Sequence, residues 1–307
     1  MDSGLSSAKT TKRSWRVWWE LIRPHTLTAS VLPVTLGTVL ALLEGKLHLL
    51  LLGAMLLASV LIQAATNLFN EYYDYKRGLD TEKSVGIGGG IVRHGMSPSL
   101  IMNLALGMYA ISLLLGVYIC ASSSWWLAVL GSFCMLMGYL YTGGPFPISY
   151  TPLGELFSGL FLGFLVILIA FFIQTGYVTQ TAVLVAVPSG ILVGLINLSN
   201  NLRDHDGDKA NGRKTIPVLL GPPKAIVFMG IMFAFAYLWL IGLVVMGVVT
   251  PWALLALLSI PKAVEATKGF VGKSEPITMM PAMKASGQTN TYFGFLLALG
   301  LLLGYLF

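Results

Sequence analysis

Apolar stretches recur along the chain at 26–44, 47–69, 100–121, 125–142, 153–174, 180–202, 223–249, 251–270 and 289–307, with short polar segments between them. Allowing for tilt, each is long enough to cross a hydrocarbon layer about 30 Å thick as a helix. Backbone groups in lipid must be satisfied within their own segment, and the Leu-, Ala- and Gly-rich character suits packed helices rather than a barrel. The pattern predicts an all-α integral membrane protein, a bundle of about nine transmembrane helices. The eighth stretch is interrupted by Pro261, Lys262 and Glu265.

Composition strengthens this picture. Hydrophobic residues make up 56% of the 307 positions and charged residues only 10%, against about 25% charged in a soluble chain. Mean hydropathy is +0.79. No soluble-length gap separates the apolar runs, so residues 23–307 are expected to form a single membrane domain, preceded by a polar, basic tail over 1–22. The tail lacks an apolar core and a small-residue cleavage site, so it reads as retained rather than as a signal peptide. Cys120 and Cys134 lie inside apolar spans without metal-ligand spacing and are expected to be packing residues.

Charge placement sets the topology. With a cytosolic N-terminus, 18 of the 19 Lys and Arg residues fall on the inner side and only Lys46 falls outside, the asymmetry expected of cytosolic loops. An odd number of spans then puts the C-terminus outside, in a multi-pass protein of the cell membrane. The net charge of +6 is spread between spans rather than clustered, which argues against nucleic acid. Acidic residues are equally uneven: Glu71, Asp74, Asp80 and Glu82 follow span two, and Asp204, Asp206 and Asp208 follow span six.

These two segments are copies. Asn67 to Asp74 and Asn197 to Asp204 share N-L-x-N-x-x-x-D at an offset of 130 positions. The copies are four spans apart, each at the same end of an equivalent helix, as in a tandem four-helix repeat with the ninth span outside it. On a helix Asn70 and Asp74 share a face, as do Asp204 and Asp208, and Asn67 and Asn197 sit a turn deeper. Oxygen-only ligands without His or Cys favour a hard cation such as Mg²⁺, which is commonly shared with substrate phosphates. Lys76, Arg77, Arg203, Lys209, Arg213 and Lys214 stand nearby to neutralise the remaining phosphate charge. The two segments therefore predict one metal-diphosphate site at the cytosolic mouth of the bundle. A transporter with an intramembrane cation site is the competing class, and it requires acids at mid-membrane rather than at span ends.

The motifs resemble the UbiA superfamily of intramembrane aromatic prenyltransferases, which carry an N-D-x-x-D type motif after span two and a D-x-x-x-D type motif after span six. Here Asn70 to Asp74 and Asn201 to Asp208 correspond, with Gly212, Thr215 and Leu220-Gly221 continuing the pattern. Arg23 to Leu27, Tyr75 to Asp80, Gly88 to Gly95, Tyr141 to Pro145 and Gly154-Glu155 are similar to the naphthoate branch. Glu71 stands where the family usually has Asp. Gly78 stands where many members have a third acid, and Asp80 follows two residues later.

The resemblance implies transfer of a polyprenyl group from polyprenyl diphosphate to 1,4-dihydroxy-2-naphthoate in a lipid bilayer, with loss of diphosphate and CO₂; homogentisate is the alternative acceptor. It further implies Mg²⁺ on Asn70, Asp74, Asp204 and Asp208, with Glu71 and Asp80 completing the acidic set. Asp74, Asp208 and Tyr141 are the implied catalytic residues. Arg23 and Arg93 are candidates for the acceptor carboxylate, and Gln63, Asn67, Asn197 and Asn201 for the rest of its pocket. His94 is read either as a general base or as a loop residue, His205 as structural and facing away from Asp204, and Gly86 to Gly90 as a lid.

Overall fold

The structure, a computed structural model, describes residues 15–80 and 89–307. Glu82, Lys83, most of the expected glycine lid and the basic residues up to Arg13 lie outside them. A short helix, α1 (Trp15–Ile22), replaces the end of the expected tail. It tucks the buried Leu21 against Ala65, Leu68 and Ile91.

The membrane bundle follows as α2 (Pro24–Leu43), α3 (Leu49–Lys76), α4 (Pro98–Ser122), α5 (Trp126–Leu140), α6 (Gly154–Thr175) and α7 (Gln180–Arg203). Beyond two short helices, α8 (His205–Ala210) and α9 (Ile216–Leu220), come α10 (Pro222–Val245), α11 (251–269) and α12 (Pro276–Leu306). Seven of these helices are long and apolar enough to span a bilayer by length and composition alone. Two more complete nine among the described residues. They are α5, with 15 residues, and α11, which starts as a 3-10 helix over Pro251–Ser259 and continues as an α-helix over Ile260–Gly269. Proline opens α2, α4, α10 and α12, where its missing N–H and fixed φ cost nothing.

Helices α2 to α5 recur in order as α6, α7, α10 and α11, and α12 stands outside the repeat. The second and ninth spans run further than their hydropathy suggests, to Lys76 and from Pro276. Their extra turns are polar or Pro-containing because they border a cavity in the protein rather than lipid.

The two halves are packed differently. Phe171, Phe233, Phe270 and Phe293 fill the centre of the α6, α7, α10, α11 and α12 side. Between α6 and α7, glycines bring backbones together: a Cβ on Gly163 would lie 2.6 Å from the Gly190 Cα, and one on Gly194 would lie 2.9 Å from the Glu155 carbonyl oxygen. Small residues at such spacing are the usual means of close helix approach in membranes. Close to this crossing α6 relaxes into a π segment over Gly159–Phe164. The α2 to α6 side keeps an open chamber.

Candidate active site

All the loops carrying the acidic segments lie at one end of the bundle. The α3 end is a Schellman turn: Leu79 N–H donates to the Asp74 carbonyl at 2.9 Å and Gly78 N–H to the Tyr75 carbonyl at 3.0 Å. Gly78 takes φ +70, a conformation open to glycine at little cost. That turn explains why Asp80, two residues beyond, returns to the cavity while the next helical turn has no acid. The α8 end repeats it, with Arg213 N–H on the Asp208 carbonyl at 2.9 Å, Gly212 N–H on that of Lys209 at 3.2 Å, and Gly212 at φ +73. In local geometry Asp208, rather than Asp204, is therefore the counterpart of Asp74.

A cavity of about 650 Å³ opens between these turns. Arg213 crosses it, donating from Nη2 to Asp74 Oδ1 at 3.0 Å and from Nη1 to Asp208 Oδ1 at 3.1 Å, with its guanidinium carbon 4.8 Å from the centre of the Tyr150 ring. Arg203 binds Asp204 through two bonds of 2.7 and 2.6 Å. Burial, partly offset by Arg213 and reinforced by Asp204, pushes the Asp208 carboxyl up to about 6. Burial together with the charges of Asp74 and Glu71 also lifts Asp80 to about 6, against Arg23 and Arg93; loss of hydration disfavours the ionised form of both.

Below the cavity lies an apolar chamber of about 400 Å³, walled by α2 to α7. Asn70, Tyr141, Asn197, Asn200, Arg23 and Thr26 border both spaces and form the throat. The α3 wall runs from Met55 to Asn70, about 22 Å at 1.5 Å per residue. Several polar groups near the throat pair with one another, which lowers the cost of burying them inside a membrane protein, while Asn70 Oδ1, Asn197 Nδ2 and Arg23 Nε are buried without a hydrogen-bond partner among the described residues. Ser30 Oγ donates to Gln63 Oε1 at 3.3 Å, Gln63 Nε2 to Asn67 Oδ1 at 3.4 Å, and Asn67 Nδ2 to the Ile22 carbonyl and Thr26 Oγ1 at 2.8 and 3.0 Å. Tyr141 donates to Asn197 Oδ1 at 3.0 Å, and Asn201 Nδ2 to the buried Glu155 at 2.9 Å. Arg23 is the sole non-glycine residue with positive φ, +53, among the described residues.

The expected residues divide into two groups. Asn70, Asp74, Asp80, Asp204, Asp208, Arg203, Arg213, Arg23, Arg93, Tyr141, Asn197 and Asn201 border the upper cavity, and Gln63 and Asn67 the chamber. Glu71 does not join them: it is 1% exposed and accepts from Gly89 N–H at 2.8 Å and Ile91 N–H at 3.1 Å, so both of its oxygens serve the α3–α4 loop. Arg77 is likewise a tie, donating to the Thr142 and Gly144 carbonyls at 2.5 and 2.8 Å and stacking on Tyr73 and Tyr150. Lys76 sits over the Tyr72 ring, and Lys209 and Lys214 are exposed outside the cavity. His205, expected to face away, borders the cavity and pairs with Asp206 at 2.7 Å, because α7 ends at Arg203 and the chain turns at Asp204 before α8 begins.

Other residues reach the cavity unannounced. Asn200 could have been found as the repeat partner of Asn70. Ser149 and Lys273 arrive from loops distant in sequence and carried no signal, and Thr142 comes in beside Tyr141.

The donor set suits a hard divalent cation. Among the described residues no three Asp, Glu, His or Cys side chains are already drawn together around one point. Yet Asn70 Oδ1 and Asp208 Oδ2 are buried oxygens without a hydrogen-bond partner among them, and with Asp74, Asp80 and Asp204 they supply oxygen alone.

A nine-helix bundle with carboxylates of two repeats above a deep apolar chamber defines an integral membrane protein built to hold a charged group and a long apolar chain end to end. The chain belongs to the UbiA prenyltransferase family, whose model matches residues 30–271. It is 58% identical over 290 residues to the 1,4-dihydroxy-2-naphthoate octaprenyltransferase of Bacillus subtilis (strain 168), covering 94% of this chain and 93% of that one. It is 33% identical over 221 residues to UbiA prenyltransferase domain-containing protein 1 of Danio rerio, covering 71% and 65%. Among solved structures, an apo UbiA homologue from Aeropyrum pernix K1 superposes with TM-score 0.67 at 18% identity, covering 89% of this chain and 97% of that one. The UbiA homologue from Archaeoglobus fulgidus bound to DMAPP and Mg²⁺ gives 0.62 at 18% identity, covering 92% and 99%.

Proposed function

We propose that this protein transfers a polyprenyl group from polyprenyl diphosphate to 1,4-dihydroxy-2-naphthoate, releasing diphosphate and CO₂. The observation that carries the reading is the 58% identity, across nearly both whole chains, to the Bacillus subtilis enzyme of that name. The junction of an acidic cavity with an apolar chamber at Asn70, Tyr141 and Asn197 supports it. Residues 23–307 act as one prenyltransferase domain, with the N-terminus and cavity cytosolic and the C-terminus outside, on the strength of the basic-residue bias.

Asn70, Asp74, Asp204 and Asp208, with Asp80 beside them, would hold Mg²⁺, the ion named with DMAPP in the Archaeoglobus structure. Bound there, the metal supplies Lewis-acid stabilisation of the departing diphosphate. Arg203 and Arg213 hold phosphate oxygens, and Arg213 exchanges its carboxylate partners for them. The chamber receives the isoprenoid chain and keeps water from the allylic cation left when the C1–O bond breaks. Tyr141 and Asn197, hydrogen-bonded at the throat, flank that carbon. Arg23 and Arg93 orient the naphthoate carboxylate, the ring carbon attacks C1, and loss of CO₂ restores aromaticity.

The test supplies purified protein with Mg²⁺, a labelled polyprenyl diphosphate and either dihydroxynaphthoate or homogentisate, and follows diphosphate and CO₂. Prenylated naphthoquinol with matched CO₂ release is expected. Product with homogentisate alone would overturn the acceptor, and activity surviving Asp74→Ala with Asp208→Ala would overturn the site.

A further inference from the structure

We infer that Glu71 is a positioning residue that shapes the α3–α4 loop to present Arg93 to the cavity. Three observations carry this. Glu71 is buried one position after Asn70 on α3, yet it does not line the cavity, and its two carboxylate oxygens accept from the backbone N–H groups of Gly89 and Ile91. Gly89 has φ +81, and a Cβ there would collide with the Arg93 side chain, meeting Nη2 at 2.8 Å and Cζ at 2.9 Å. The loop then closes on itself, with Arg93 N–H on the Gly89 carbonyl at 2.7 Å and Met96 N–H on that of Gly90 at 3.0 Å.

The order of causes is therefore Glu71, then Gly89, then Arg93. The carboxylate supplies two strong acceptors for backbone groups that a buried loop must otherwise leave unpaired. The left-handed glycine turns the chain, and its bare Cα leaves the space against which the guanidinium lies. Leu21 of α1 packs over Gly90 from the other side, where a Cβ would lie 2.6 Å from Leu21 Cδ2, so the loop is clamped on both faces. Arg93 and Gly89 border the cavity, as Asp80 and Arg23 do. The acidic residue next to Asn70 thus serves the acceptor side of the site rather than the cation.

The inference rests on the proposed role of Arg93 toward the acceptor carboxylate, and the experiment separates the two. Full-length Glu71→Gln, Gly89→Ala, Arg93→Ala and the double variant Glu71→Gln with Arg93→Ala are assayed in lipid. KM is measured for dihydroxynaphthoate and donor, with the Mg²⁺ half-activation concentration, and amide hydrogen exchange is followed over residues 89–96. Gln keeps one acceptor and replaces the other with a donor, so Glu71→Gln is expected to raise acceptor KM about tenfold. Donor KM and Mg²⁺ dependence should stay within about twofold, and exchange at Gly89 and Ile91 should quicken. Gly89→Ala should raise acceptor KM without touching Glu71, and the double variant should be no worse than Arg93→Ala, as coupled residues behave.

An Mg²⁺ half-activation shifted by Glu71→Gln would make Glu71 a metal ligand and overturn the inference, as would unchanged exchange at 89–91. If Arg93→Ala leaves acceptor KM unchanged while exchange quickens in Glu71→Gln, the role given to Arg93 fails and the anchoring by Glu71 stands.

Discussion

Asp74 and Asp208, on different halves of the repeat, accept hydrogen bonds at 3.0 and 3.1 Å from the two terminal nitrogens of one guanidinium, that of Arg213. This junction is largely buried, with the three side chains 20%, 5% and 14% exposed. Removing one member of such a set leaves charge uncompensated, which typically costs about 3–5 kcal/mol. Arg213→Ala is therefore expected to lower the unfolding temperature of the metal-free protein, and millimolar Mg²⁺ to restore much of it by compensating the same carboxylates. Thermal unfolding in detergent with and without Mg²⁺ checks this, and an equal loss in both conditions would contradict it.

Asp74→Asn and Asp208→Asn keep size and remove charge. Each is expected to reduce kcat/KM by on the order of 10²-fold or more, the scale on which preorganised charge at a departing anion matters. The double variant should fall short of the product of the two, because the carboxylates serve one site. Single-turnover rates with labelled donor provide the measurement.

The pH dependence has a definite sign. Asp80 and Asp208 titrate near 6 in the folded chain, above the ordinary carboxylate value of 3.8. Folded protein then holds more protons than unfolded between those values, so their contribution favours folding at low pH and is lost as pH rises through about 6. Metal ligands must be ionised. The thermal shift produced by Mg²⁺ should accordingly shrink as pH is lowered from 7.5 to 5; a larger shift at pH 5 would contradict the ligand assignment.

Arg77 and Arg203 look alike in sequence and should fail differently. Arg77→Ala removes two bonds to the Thr142 and Gly144 carbonyls, each from a charged donor and worth about 1.5–3 kcal/mol. It should lower stability with donor KM nearly unchanged. Arg203→Ala should raise donor KM about tenfold or more, on the same scale of charged hydrogen bonds. Matched unfolding curves and donor titrations distinguish them.

The chamber wall makes a further prediction. Ser59 lines it below the throat, and Ser59→Phe should obstruct a long isoprenoid while leaving room for a short one. Activity with a long-chain donor is expected to fall about tenfold more than with a ten-carbon donor, a difference of about 1.4 kcal/mol in transition-state binding. Equal losses would move the tail elsewhere.

Much of this protein is legible from its residues. Hydropathy marks out the spans, seven of them on length and composition alone, because a helix in lipid must be apolar over a known length, and the offset copies at Asn67 and Asn197 determine the repeat and which end bears the acids. Helical spacing determines that Asn70 and Asp74 share a face. Those are local properties, and periodicity reports them faithfully. What faces that surface is another matter. Glu71 and Arg77 carry the right charges one and seven positions after Asn70, but tertiary contacts turn them to a loop and to backbone carbonyls. The sequence offset pairs Asp74 with Asp204; the left-handed turns at Gly78 and Gly212 pair it with Asp208, because the second copy runs one short helix further before its chain reverses. Lys273 and Ser149 enter the cavity from segments that share no pattern with it. The amino-acid order specifies each helix, its depth and its polar face, since these depend on neighbours three and four residues away. Which partner each charge meets was decided only by how the helices cross and where the glycine turns send the chain, since a buried charge is held by whatever lies opposite it in space.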